Sequence, residues 1–258
     1  MLMSNDKEIL NQLVGMSRGL GDPARDLVIL GEGNTSARAD EETFFVKASG
    51  KELRAADEKS FVKVSLRRVL DGLNSKALTD EEVRKLLAES MTDRSIGVVP
   101  SLETFLHAYL LSLPGVAFVG HTHPTAVSAI LCSVDARKAV SGRLFPDEIV
   151  CCGPVFCYVE YADPGLALAG QLRRRVEEFV EEQKTAPRVI LMENHGMIAC
   201  GRTARDVETI TSMYVKTARV LAGTCAFGGP RFLTPENVAR IHTRPDELYR
   251  QKKLGGES

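Results

Sequence analysis

The stretch that most constrains the fold is VAFVGHTHPTAVSAI, residues 116–130. Val116 to Gly120 is apolar and rich in β-branched and aromatic side chains, the composition of a buried strand. It ends in two histidines one residue apart, His121 and His123, followed by Pro124 and an apolar segment of helical character. Residues i and i+2 of an extended segment project to the same face, so two imidazoles there can meet one cation. A metal needs at least one further ligand. The NHG motif at 194–196 supplies a candidate, because His195 follows a second apolar strand, RVILME. Three of the five histidines thus stand directly after apolar strands, at the strand ends where α/β proteins build sites. An HxH pair alone is a weak signal. With His195 added, a metal site outweighs the alternative of three hydrogen-bonded structural histidines.

No Pro/Gly/Ser-rich linker, low-complexity run or internal repeat divides the 258 residues, so a single domain over 1–258 is expected. A hydrophobic content of 44% and a charged content of 26% are those of a soluble globular protein. The formal net charge of −1 gives no reason to expect nucleic acid or an anionic membrane as partner. The absence of Trp also argues against a stacking platform for single strands. The six cysteines form no CxxC pair and sit mostly in apolar surroundings, which reads as buried free thiols in a reducing compartment. The N-terminus MLMSNDKEIL lacks the features of a signal peptide and no stretch approaches a membrane span, so a cytoplasmic location is expected.

Along the chain, Asn5 and Glu8 resemble a capping box for a first helix over about residues 5–18. Leu27–Leu30, the turn-rich GEGNTSAR and Phe44–Ser49 read as short extended pieces joined by turns. Thr79 and Glu82 form a second capping box, and Pro100-Ser101 introduces the helix SLETFLHAYLLSL. Asp147–Tyr161 reads as one or two short strands broken at Gly153-Pro154. A charged amphipathic helix over 165–184 follows, then strands at 188–193 and 197–200. Thr203 and Asp206 cap a long helix to about Ala222, Thr234-Pro235-Glu236 starts a short one, and QKKLGGES is expected to fray. These elements predict helices flanking a mostly antiparallel sheet, a three-layer α/β/α sandwich.

Several motifs carry two readings. GEGNTSAR at 31–38 and KASGK at 47–51 are turns whose backbone N–H groups could receive an anion, although neither matches GxGxxG or the phosphate-loop pattern. Taken alone, GEGNTSAR is better read as a plain turn. Glu103, in the first turn of its helix, is explained by the helix dipole at up to about 1 kcal/mol, unless it faces the metal. His107, four residues on, is equally a packed core histidine, and His242 reads as structural or exposed.

Taken in order and at these separations, GEGNTSAR, VKASGK, PSLETFLH, VGHTHP and NHGMIACG resemble the class II aldolase/adducin family over roughly residues 5–222. That family includes L-fuculose-phosphate and L-rhamnulose-phosphate aldolases, L-ribulose-phosphate 4-epimerase and the catalytically silent adducin head. The resemblance implies an α/β/α sandwich assembled as a homotetramer with active sites between subunits, acting on a sugar phosphate. It makes His121, His123 and His195 the ligands of a divalent metal, with Zn2+ favoured by ligand type over Mn2+ or another ion. It makes Glu103 the acid/base and Tyr161 a proton donor reaching across the subunit interface. Gly33, Asn34, Ser49, Gly50 and Ser101 correspond to positions that hold phosphate. The implied reaction is retro-aldol cleavage of a ketose phosphate or related hydroxy-carbonyl compound through a metal-stabilised enediolate.

This chain departs from that pattern in two places. Leu102 stands where the fuculose-phosphate enzymes have a second phosphate-loop serine, which removes a hydroxyl. The segment from Lys51 to Pro100 is also longer than in those aldolases and is closer to the aldolase half of bifunctional aldolase/dehydrogenases, though no dehydrogenase domain is expected here. Glu103 favours an aldolase over a 4-epimerase, in which this carboxylate is typically Asp. Retention of all three histidines argues against a non-catalytic, adducin-like scaffold.

Overall fold

The computed structural model describes residues 4–75, 78–95 and 97–254. Its centre is a seven-stranded sheet of β1 (Asn34–Arg38), β2 (Thr43–Lys47), β3 (Phe61–Ser65), β4 (Phe118–Thr122), β5 (Cys157–Val159), β6 (Val189–Met192) and β7 (Gly196–Gly201). The spatial order is β3-β2-β1-β4-β7-β6-β5. Every neighbouring pair is antiparallel except β5–β6. The helices described are α1 (Ser4–Leu20), α2 (Leu66–Leu73), α3 (Asp80–Ser90), α4 (Thr104–Leu111), α5 (Thr125–Leu131), α6 (Ala136–Ala139), α7 (Pro146–Cys152), α8 (Leu166–Gln183), α9 (Ala204–Thr224), α10 (Pro235–Thr243) and α11 (Pro245–Leu254).

The strands are too apolar on both faces to meet water, and helices cover each side. One layer comprises α1, α5, α7 and α9, whose Leu13, Leu20, Val127, Cys152 and Ile210 pack with Ala37, Leu191 and Ala199 of the sheet. The other comprises α2, α3, α4 and α8, where Val69, Leu87, Phe105, Leu106 and Leu172 meet Val46, Val62, Val119 and Ile198. The period of two is visible on β1: Thr35 bonds to Ser17 of α1 on one face, while Ser36 bonds to His107 of α4 on the other. The expected three-layer sandwich is therefore the observed one. No described helix is long and apolar enough to cross a membrane.

Local departures have physical causes. The first helix begins at Ser4, which places Asn5 inside it rather than at the cap. Leu27–Leu30 is a loop, not a strand: Leu27 is buried and its carbonyl accepts from the His123 N–H. The second half of GEGNTSAR is β1, since Asn34 to Arg38 pair with both β2 and β4. Residues 146–152 form α7 instead of a strand, with Pro146 at its start, Asp147 and Glu148 in its first turn and Gly153 at φ +90° ending it. Gln251–Leu254 continue α11 instead of fraying, while residues 255–258 lie outside those described. Both β3 and α2 arise where sequence reading placed no element. The capping box at Thr79–Glu82 and the Thr203 cap of α9 are present as expected, and all six cysteines are free thiols, four of them buried.

The helix that carries Glu103 is anchored by Phe105, fully buried and packed against Gly72 of α2. Phe105→Ala is expected to lower the unfolding free energy by about 3–5 kcal/mol in urea titration. The same truncation at Phe227, 90% exposed, should stay within about 0.5 kcal/mol.

Candidate metal centre

Strand β4 lies between β1 and β7, with His121 opposite Asn34 on one side and Ile198 on the other. Directly opposed residues share a face of the sheet, so Asn34, Ser36 and His121 all point into the α4 layer. His121 is wholly buried and its Nδ1 lies 3.0 Å from the Met197 carbonyl oxygen. A carbonyl only accepts, so Nδ1 carries the proton and Nε2 presents a lone pair. The next outward position on the same face is His123, just past the end of β4, with its Nε2 2.9 Å from that of His121.

His195 arrives from the other direction, in the tight hairpin between β6 and β7, and its Nε2 is 3.2 Å from that of His121. NHG suits this turn residue by residue. Asn194 takes the left-handed φ of +52°, which Asn tolerates better than most side chains. Gly196 leaves room for the ligands, because a Cβ there would stand 2.7 Å from His123 Cδ2 and 2.6 Å from the Thr122 carbonyl.

One nitrogen from each of the three rings lies within 4.8 Å of the other two. Imidazoles bound tetrahedrally to zinc at about 2.0–2.1 Å hold their nitrogens about 3.3 Å apart. The trio stands near that spacing, and the His121 Nδ1–carbonyl bond is the outer contact that orients a ligating histidine. The donor set therefore fits a divalent ion such as zinc.

Glu103 is the N-cap residue of α4, one position earlier than a first-turn placement. Its Oε1 is 3.2 Å from His195 Nε2 and its Oε2 is 3.6 Å from His121 Nε2. Burial pushes this carboxyl upward, but the proximity of His121 and hydrogen bonds with His195 and Asn34 outweigh it and hold the group well below the usual carboxylate range. Burial acts on the imidazoles in the opposite sense, taking His121 down to about 4 and His123 down to about 3. A carboxylate thus faces the neutral rings of His121 and His123, and the bare Nε2 of His121 is open to a cation. A cavity of about 270 Å3 beside His123 and His195 is lined by Glu32, Asp26, Thr125 and Ser128.

The other expected site residues gather in part. Backbone bonds from Ser49 to Val99 and from Ser101 to Lys47 bring the Ser49-Gly50 turn beside the segment leading into α4. Gly33 is buried at φ +68°, with the His121 carbonyl only 2.6 Å from where its Cβ would lie. Asn34 is buried and bonded to Glu103 rather than open to solvent. The Ser101 hydroxyl accepts from the Glu103 N–H, and Leu102 is exposed. Tyr161 stands apart: it is 55% exposed and its hydroxyl donates to Asp163. Two groups escaped sequence reading. Glu32 Oε1 lies 3.8 Å from His123 Nδ1. Lys47, buried in β2, bonds the carbonyls of Gly31 and Lys51, and burial lowers its pKa against the pull of Glu103. Only its place in KASGK could have marked it.

Comparison with known proteins shows the family and the fold. Residues 11–222 match the family described as Class II Aldolase and Adducin N-terminal domain. YuxG of Bacillus subtilis (strain 168), described as an uncharacterized oxidoreductase, is 30% identical over 220 residues. That match covers 82% of this chain but only 28% of YuxG. Among solved structures, the N-terminal class II aldolase domain of a Thermoplasma acidophilum protein superposes with a TM-score of 0.67 at 24% identity, covering 86% of this chain and 96% of that one. L-fuculose 1-phosphate aldolase from Glaciozyma antarctica PI12 does so with a TM-score of 0.64 at 14% identity, covering 100% and 95%. The chain belongs to the class II aldolase/adducin family.

Gly196→Ala should push His123 out of place and weaken zinc affinity by at least about tenfold in a chelator competition, since the crowding atoms include backbone. The pH dependence follows from the buried rings. Histidine in an unfolded chain protonates near 6.5, whereas His121, His123 and His107 are held at about 4, about 3 and about 4. Between those values the unfolded chain binds more protons, so the metal-free protein should lose stability as pH falls from about 6.5 to about 4. Urea midpoints measured across that window would test it, and a flat profile would contradict burial of neutral rings.

Proposed function

We propose that this protein is a zinc-dependent class II aldolase, a lyase of carbohydrate metabolism that cleaves a ketose phosphate or related hydroxy-carbonyl compound. The observation that carries the reading is Glu103, an anionic carboxylate within 3.2 Å of His195 and 3.6 Å of His121. Ligands and base are thus assembled in one place. Retro-aldol cleavage takes the proton from the β-hydroxyl, turns that C–O into the carbonyl of the released aldehyde and breaks the bond between the α- and β-carbons, whose electron pair is left as an enediolate. When bound by His121, His123 and His195, a divalent ion would supply Lewis acidity for the developing negative charge. Glu103 is placed to move the proton at the carbon next to the carbonyl, taking it in condensation and returning it in cleavage.

The Ser49-Gly50 turn, Ser101 and Gly33 form the phosphate side of this site, and Lys47 adds a positive charge beneath it. Tyr161, with no contact to the histidines within its own chain among the described residues, acts from a neighbouring subunit of a homotetramer. Large exposed apolar side chains around the site support that assembly: Ile29 at 64%, Leu30 at 78%, Val99 at 52% and Leu102 at 44% exposed. The six free thiols fit a cytoplasmic protein.

The test is a screen of ketose 1-phosphates and their unphosphorylated forms, read by released aldehyde, wild type beside Glu103→Gln. Metal-dependent release should fall by about 100-fold or more in the variant, with metal content and assembly retained. Equal rates in the two proteins would remove Glu103 from the mechanism. No release from any compound would return the scaffold reading to the front.

A further inference from the structure

Behind Glu103 runs a chain of buried polar groups. The Ser36 hydroxyl lies 2.7 Å from His107 Nδ1, His107 Nε2 meets the Asn34 side-chain oxygen, and Asn34 Nδ2 lies 2.5 Å from Glu103 Oε2. Ser36 and His107 are completely buried and Asn34 is 4% exposed, so these groups satisfy one another.

The chemistry of the donors fixes every direction in the chain. An ionised carboxylate only accepts, so the Asn34 atom facing Glu103 is its amide nitrogen. The Asn34 oxygen therefore faces His107, and His107 Nε2 must carry a proton. Full burial with no acidic partner in contact leaves the ring neutral. Nδ1 is then a bare acceptor, and the Ser36 hydroxyl donates to it. A histidine that merely fills a core position would be content with either tautomer, whereas this network admits one.

We propose that His107 is a positioning residue. As its Nε2–H tautomer it fixes the rotation of the Asn34 amide, which aims an N–H at Glu103 and holds that carboxylate against the histidine trio. Ser36 sets the tautomer from the far end. Without His107 the Asn34 oxygen loses its donor, and only the bond to Glu103 is left to hold the rotation of the amide. The catalytic consequence rests on the proposed role of Glu103, but the hydrogen-bond directions do not.

Two measurements test this. The first needs no substrate: long-range proton–nitrogen correlation on the full-length, zinc-loaded protein with labelled histidine, the His107 signals being assigned by their loss in His107→Gln. Protonated Nε2 and bare Nδ1 at neutral pH are expected. An Nδ1–H tautomer or a doubly protonated ring would overturn the proposal. The second uses whichever ketose the wild type cleaves. His107→Phe should lower kcat by about 10- to 100-fold with KM and zinc content unchanged. His107→Gln, whose amide nitrogen takes the place of Nε2, should recover most of that loss. An undiminished kcat in the Phe variant, or equal losses in both, would overturn it. A wild type that cleaves nothing counts against the aldolase reading, and the tautomer then decides this one.

Discussion

The register of β4 between its two antiparallel neighbours sets the geometry of the whole site. Hydrogen bonding on both edges fixes which residues face the α4 layer, and because side chains alternate, a slip of one residue would turn His121 and His123 into the opposite layer. The same ladder puts Asn34 across from His121 and Ser36 across from Val119, so the strand that orders the ligands also orders the groups that support Glu103. His195 needs a second constraint, the short hairpin after β6, in which a left-handed Asn194 and a Cβ-free Gly196 let the ring close on the other two.

Charge explains why these groups tolerate one another. Imidazoles crowded by their Nε2 atoms, those of His121 and His123 held neutral by burial, and a carboxylate held ionised make a pocket with excess negative charge, the complement of a divalent cation. Glu103 stands at the N-cap position of α4 without a side-chain capping bond, and its carboxylate faces the histidines instead. Buried acid, buried imidazoles and a buried lysine within one region make a functional site a better account than a structural core, since a purely structural core gains little from such groups.

Much of this was legible in the sequence because it was local. Two histidines at i and i+2 after an apolar strand, a third after another, and capping motifs at Thr79 and Thr203 each depend on neighbours in the chain. What was not legible depends on tertiary partners. Leu27–Leu30 has the composition of a strand, but its loop conformation carries a buried Leu27 whose carbonyl takes the His123 N–H. Residues 146–152 are apolar enough for a strand, yet Pro146 and the acidic first turn win for a helix. The network through His107 and the charge of Lys47 beside Glu103 join residues far apart in sequence, which no spacing rule reveals. Asn34, expected to hold phosphate, is instead seen holding Glu103.

Elemental analysis is the direct test of a divalent ion held by His121, His123 and His195. The protein should be purified without a metal-affinity step, wild type beside His195→Ala. About one zinc-type ion per chain is expected in the wild type and little in the variant, because two imidazoles hold such an ion much less well than three. A wild type that arrives empty and still refuses added zinc would contradict it and leave the three rings as structural histidines.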